Sequence, residues 1–346
     1  MAVRSPTGTV VNDSMIDPAL PFIDLHRHLE GSVRLETMLE LADDHGLNLP
    51  AKTVEGLQPH VEMRGLSGDL MEFIRKMDWM IHVLADTDAC RRIAHEAVED
   101  AAAEGIDYLE LRFSPSFMAR PHSLRVPEVV AAVIDGARAG ELATGVRTRL
   151  IGIMSRTYGV DGCRLELEGL LAHREHITAL DLAGDEANFP GHLFHEHFRL
   201  GRDAGWHVTV HAGEAAGEDG VRYAIEELGA TRIGHGIRAA EDPTLLALMR
   251  DRGIGLEVNL TSNVQTRTVP NLAAHPLALF LNEGLLATIN TDDPKVSGID
   301  LRHEFEVAAP VAGVTPAMAR QAQRNALEIA FVTPAERAAI AARRPR

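Results

Sequence analysis

Positive charge and cysteine are both scarce in this chain. Lys and Arg number 34 against 50 Asp and Glu over 346 residues, a formal net charge of −16. A surface of that sign does not neutralise phosphates, which excludes nucleic acid as a partner and equally an anionic membrane surface. Cys90 and Cys163 are the only cysteines. They form no C-x-x-C motif and no disulfide framework, as expected in a reducing compartment. No run approaches the roughly 18 apolar residues of a membrane span, and residues 1–20 carry no apolar signal segment. A cytoplasmic protein is expected. There is no Walker A motif either, and Gly152, Gly213 and Gly220 stand isolated, so nothing cradles a nucleotide phosphate.

What the chain has is a regular alternation. With 45% hydrophobic residues it can bury a large core. Residues 1–18 are polar and read as a loose tail, and residues 19–346 as one domain. Strand-type runs are predicted over Phe22–His26, Tyr108–Phe113, Leu150–Ser155, Ile177–Gly184, His207–His211, Arg232–His235, Gly255–Leu260 and Leu286–Asp292. Helix-period stretches separate them, among them 126–139, 191–204, 243–250 and 276–283. Gly105, Gly205, Gly229, Gly253 and Gly284 each close a predicted helix. Strand and helix alternating in this way make parallel βαβ units. Eight of them predict a (β/α)8 TIM-type barrel, with an open doubly wound sheet as the alternative. Residues 34–104, between the first two strands, are longer than a crossover needs. They read as an extra helical insertion (35–45, 69–84, 88–104), either a lid over the barrel mouth or plain decoration.

Chemistry-bearing side chains recur where strands stop. His26 and His28 end the first run, His211-Ala-Gly-Glu214 the fifth, His235-Gly the sixth, and Asp292-Asp293-Pro294 the eighth. A His-x-His pair alone is weak, since 17 histidines in 346 positions give roughly one by chance. The second such pair, His195 and His197, falls in a helical stretch. There the two side chains point apart, and both are assigned to a solvated helix surface. On a strand end, residues i and i+2 face the same way, so His26 and His28 can converge. Each candidate has a structural alternative: Glu214 as an acid at a helix N-terminus, Asp292 as a cap before proline. Their joint placement at C-terminal strand ends, the rim where barrel enzymes hold their sites, favours function.

Three imidazoles and a carboxylate suit a divalent ion such as zinc, which lowers the pKa of bound water from 15.7 to about 7. His235 is placed to take or stabilise a proton, Glu214 is a second acid–base group, and Asp293 can orient a substrate donor or acceptor. Gly184 allows close backbone approach to a ligand. The fourth run, Ala179–Glu186, has no Lys to bridge two ions, which favours one metal over two. The H-x-E with P-C-x-x-C zinc motif is absent.

In order and spacing, His26-Arg-His-Leu-Glu30-Gly31, Ser114-Pro115, Asp181-Leu-Ala-Gly184-Asp-Glu186, His211-Ala-Gly-Glu214, Ile233-Gly-His235-Gly236, Thr261-Ser-Asn263 and Thr291-Asp-Asp-Pro294 resemble the adenosine deaminase family, bacterial members above all, over roughly residues 20–333. The resemblance implies one zinc ion per chain on His26, His28, His211 and Asp292. It also implies Glu214 as donor to purine N1, His235 assisting the attacking hydroxide, Gly184 touching the purine through its backbone, and Asp293 bonding N7. His28 and Glu30 would border the substrate. Members usually carry Asp at residue 30, bonding a ribose hydroxyl, whereas relatives acting on adenine or other adenine-containing metabolites often carry Glu. The expected activity is hydrolytic deamination of adenosine and 2′-deoxyadenosine to inosine and 2′-deoxyinosine plus ammonia, in purine salvage. The alternatives are deamination of adenine or another adenine-bearing metabolite and, lower, an inactive purine-binding relative. A pure binder would need neither the ligand set nor Glu214 and His235.

Overall fold

The computed structural model describes residues 14–66 and 70–342. Eight strands follow one another in chain order: β1 (Ile23–His28), β2 (Tyr108–Phe113), β3 (Arg147–Ser155), β4 (Ile177–Ala183), β5 (His207–Ala212), β6 (Arg232–His235), β7 (Gly255–Val258) and β8 (Leu286–Ile289). All neighbouring pairs are parallel. The ring closes at the carboxyl rim, where the N–H of His28 donates to Asp292 O and the N–H of Asp292 to His26 O, both at 2.8 Å. The fold is the expected (β/α)8 barrel, and β2 and β6 have the predicted bounds.

Other bounds moved for identifiable reasons. β3 begins at Arg147 because Arg147 and Arg149 both reach Glu336 of the C-terminal helix, so two charged residues are accommodated in the strand. β8 stops at Ile289 because the backbone turns out of the ladder before Asp292, whose φ is +63°. The five glycines expected to close helices all have positive φ, between 64° and 88°. Met15 and Ile16 pack against the core, and the N–H of Asp17 donates to Gln323 Oε1 at 2.9 Å; residues 1–13 of the expected tail lie outside the described residues.

The insertion is helical. Leu35–Asp44 and Thr87–Ala103 form helices close to the predicted bounds. The single helix expected over 69–84 is instead Leu70–Ile74, a 3₁₀ turn Arg75–Met77 and Asp78–His82, with residue 69 outside the described set. Breaking the helix lets Met71, Ile74 and Met77 face the barrel mouth while Met80 and Ile81 enter the core. A helix over Val54–Val61, capped by the Thr53 side chain, was not legible, since it holds Pro59 and is two turns long. His195 is exposed as expected, but His197 is not on a solvated surface: it is buried, with Nε2 3.0 Å from Val160 O. Among the described residues no helix is long and apolar enough to cross a membrane.

Apolar side chains fill the layer between strands and helices, while the barrel interior holds fully buried Glu110, Arg112, Asp181, Arg232 and Glu257. Phe331 plugs the amino end. Its ring stacks on His207 at 4.5 Å, lies under the Arg232 guanidinium at 3.5 Å, and its N–H donates to Glu110 Oε1 at 2.7 Å. Phe331→Ala should therefore cost about 3–5 kcal/mol of stability, read as a lowered urea midpoint. A loss below about 1 kcal/mol would show that the ring does not seal the barrel.

Candidate active site

The strand ends bring His26, His28, His211 and Asp292 to one point. His28 Nε2 lies 3.2 Å from His211 Nε2 and 3.3 Å from Asp292 Oδ1, and His26 Nε2 lies 3.1 Å from the same oxygen. Ligand atoms around one tetrahedral ion with bonds of 2.0–2.1 Å sit about 3.3 Å apart. Two of the imidazoles are aimed from behind by carboxylates: His26 Nδ1 is 2.8 Å from Glu257 Oε2, and His211 Nδ1 is 3.0 Å from Asp181 Oδ2. That leaves each Nε2 facing inward, the arrangement of carboxylate–histidine–metal sites. His26 Nε2 is buried without a hydrogen bond. Burial pushes His28 down to about 4 and lowers His211 as well, so both favour the neutral form that ligates. Burial alone would raise Asp292; the surrounding imidazoles of His235, His26 and His28 outweigh it and hold the group well below the usual carboxylate range. This donor set fits a divalent metal ion.

His26, His211, His235 and Asp292 also have ligand atoms within 4.8 Å of one another, but the hydrogen bonds of His235 argue for another part. The N–H of Leu277 donates to His275 Nδ1 at 3.1 Å, so the His275 hydrogen sits on Nε2 and points to Asn263 Oδ1 at 3.2 Å. The Asn263 amide nitrogen then faces His235 Nδ1 at 2.8 Å and donates to it. With Nδ1 occupied as an acceptor, neutral His235 carries its hydrogen on Nε2. That nitrogen lies 3.6 Å from Glu214 Oε2 and 3.9 Å from Asp292 Oδ2.

Around the cluster sit three acids in the opposite state. Burial, then Asp292 and Glu186, raises Glu214 well above the usual range; burial, then Asp292 and Glu30, does the same for Asp293. Burial pushes Glu30 up to about 8. Glu30 Oε1 accepts from the Ser114 N–H at 2.5 Å, while Glu30 Oε2 and Asp293 Oδ1 have no partner. His28, Glu30, Gly184, Glu214, His235 and Asp293 line one cavity of about 250 Å³, roofed by Met71, Phe73, Ile74 and Met77 of the insertion. Two glycines shape it. A Cβ on Gly31 would fall 1.9 Å from Asp293 Oδ1, and Gly184, at φ +106°, would place one 2.5 Å from Thr157 Oγ1.

The family model described as Adenosine deaminase matches residues 21–343. An adenosine deaminase of Photorhabdus laumondii is 56% identical over 326 residues, 94% of this chain and 98% of the relative. The chain belongs to the adenosine deaminase family. It is thus an enzyme, a hydrolase of C–N bonds. Among solved structures, an adenine deaminase from Arthrobacter aurescens superposes with a TM-score of 0.86 at 28% identity, covering 93% of this chain and 97% of that one. An amidohydrolase from Burkholderia ambifaria with bound zinc gives 0.84 at 26%, covering 97% and 93%.

Within this family member the sequence left several supports unassigned. Asp181, Glu186 and Asn263 stood in recognised motifs without a role. Glu257 was overlooked, although a lone acid inside the buried run Gly255–Val258 signals a paired charge. His275, Arg156 and Thr157 carried no local signal. Asp181→Asn should lower metal affinity about 10–100-fold, measured by competition with a chromogenic chelator. Unchanged affinity would show that the carboxylate does not orient His211.

Proposed function

We propose that the enzyme hydrolytically deaminates adenosine and 2′-deoxyadenosine to inosine and 2′-deoxyinosine plus ammonia, as a cytoplasmic step of purine salvage. The observation that carries this reading is the pair of buried acids, Glu214 and Asp293, held neutral beside the ionised Asp292 in one cavity. Neutral acids donate hydrogen bonds, and a 6-aminopurine presents two acceptors, N1 and N7, on either side of the carbon that bears the amine.

His26, His28, His211 and Asp292 would hold one zinc ion, which when bound supplies Lewis-acid activation of water near neutral pH. Glu214 gives its proton to purine N1, drawing electrons from C6 so that a water oxygen can add there. The Nε2–H of His235 donates to that incoming oxygen. As the C6–N6 bond breaks, one proton of the added water passes to the amine, which leaves as ammonia, the other restores the Glu214 carboxyl, and the 6-oxo purine forms with N1 protonated. The Asp293 carboxyl donates to N7, and the Gly184 backbone lies against the ring. The insertion roof keeps bulk water from the site.

Glu30 bears on the substrate. Glu30 lines the cavity, its buried Oε2 has no partner, and that oxygen would take a ribose hydroxyl. The same residue favours a second reading, an adenine-type substrate, because Glu extends one methylene further than Asp into space a ribose would take. Turnover of adenosine, deoxyadenosine and adenine followed by ultraviolet absorbance decides between them: the nucleosides should be preferred, and a preference for adenine would reverse the assignment.

Two further outcomes test the roles. Glu214→Gln should keep stoichiometric metal and lose about 10²–10⁴-fold in rate; near-parent turnover would remove Glu214 as donor. Glu30, raised to about 8, is neutral below that pH and charged above it, where it faces Asp293. The KM for adenosine should rise above pH 8, and Glu30→Gln, neutral throughout, should abolish the rise. A rise that persists in Glu30→Gln would assign it to another group.

A further inference from the structure

The loop after β5 carries Glu214, and its backbone is held by one side chain from another strand. The Glu186 carboxylate, beyond the end of β4, accepts from four consecutive N–H groups. Oε1 takes Gly213 at 2.8 Å, and Oε2 takes Glu214 at 3.1 Å, Ala215 at 2.9 Å and Ala216 at 3.0 Å. Glu186 is 5% exposed. These donors belong to a turn, residues 213–216, that ends before the next helix begins at Glu218. Successive N–H groups converging on one anion make a concave nest, and here a side chain of the same chain fills it.

The strand end that supplies Glu186 is itself pinned. The N–H of Asp185 donates to Thr157 Oγ1 at 3.1 Å. Arg156 Nη2 donates to Leu182 O at 2.8 Å and His211 O at 2.5 Å, tying β4 to β5 just below the loop. The chain of contacts therefore runs from the turn after β3 through Glu186 to the backbone nitrogen of Glu214 itself. A displacement of that backbone moves the acid relative to the purine edge, and misplacement by 1 Å can cost about 100-fold in rate.

We propose that Glu186 is the positioning residue for the proton donor, fixing the 213–216 turn so that the Glu214 carboxyl meets purine N1. This rests on the reading of Glu214 as that donor. Gln at residue 186 keeps the size but turns one acceptor into an amide donor that faces N–H groups, so it cannot complete the set. Asp keeps both acceptors and withdraws them by one methylene.

The test uses the metal-loaded enzyme and the variants E186Q, E186D, E214Q and E186Q/E214Q. E186Q should retain stoichiometric metal and lose about 10–100-fold in kcat on adenosine, no more than the lower end of the roughly 10²–10⁴-fold that a general acid contributes. Its affinity for an adenosine analogue with C–H in place of N1 should change by less than about 3-fold, because that ligand makes no bond to Glu214. The double variant should be no slower than E214Q alone, since groups acting as one unit do not multiply. Parent-like turnover in E186Q overturns the proposal, as does a multiplicative drop in the double variant or equal weakening toward the C–H analogue. Should E186Q fail to fold, E186D is read by the same three measurements. Full activity in E214Q would instead remove the donor, a failure recognisable without reference to Glu186.

Discussion

The site depends on a buried ionic frame built across the barrel interior. Glu257 Oε2 takes His26 and Arg112, and its Oε1 takes Thr209 and Arg232. Arg112 reaches on to Asp181, which holds His211. One guanidinium therefore couples the two carboxylates that aim two imidazoles from opposite sides of the ring. Each charge would be costly to bury alone, and removing one partner of such a pair typically costs 3–5 kcal/mol. Together they satisfy one another and leave the Nε2 atoms facing a single point. The barrel thus has two cores: an apolar one outside the strands that gives stability, and a charged one inside that fixes geometry.

Above the frame, the rim is held in backbone conformations that side chains seldom adopt. Of the four non-glycine residues with positive φ among those described, His235 and Asp292 are two. His235 ends β6 and Asp292 lies just beyond β8, and both turn sharply to direct a side chain into the cavity. Such strain persists only where the surroundings determine it. Here the surroundings include the closing hydrogen bonds between His26, His28 and Asp292 and the glycine at residue 31, where no Cβ would fit against Asp293.

The same cavity sorts carboxyl groups into two states. Asp292 is surrounded by imidazoles and stays ionised; Glu214 and Asp293, buried beside that negative charge, stay protonated. Acceptor and donors thus come from one residue type, separated only by neighbours. The roof from the insertion completes the enclosure and strengthens every one of these interactions by keeping water away.

Much of this was legible in the chain. Strand–helix alternation closed by glycines fixes a parallel barrel, and His26, His28, His211, His235 and Asp292 are recognisable because they all stop strands on one side of it. That information is local, carried by period and position. The rest depends on contacts between residues far apart in sequence. Which nitrogen of His235 carries its hydrogen follows from Asn263 and His275; which acid keeps its proton follows from burial beside Asp292; and where the 69–84 segment breaks follows from the two surfaces it must serve. Sequence determined the fold and the candidate groups of the site, because backbone periodicity and residue chemistry are properties of the chain. Tertiary structure alone decided protonation, tautomer and aim, because these are set by dielectric and by partners that the chain brings together only when folded.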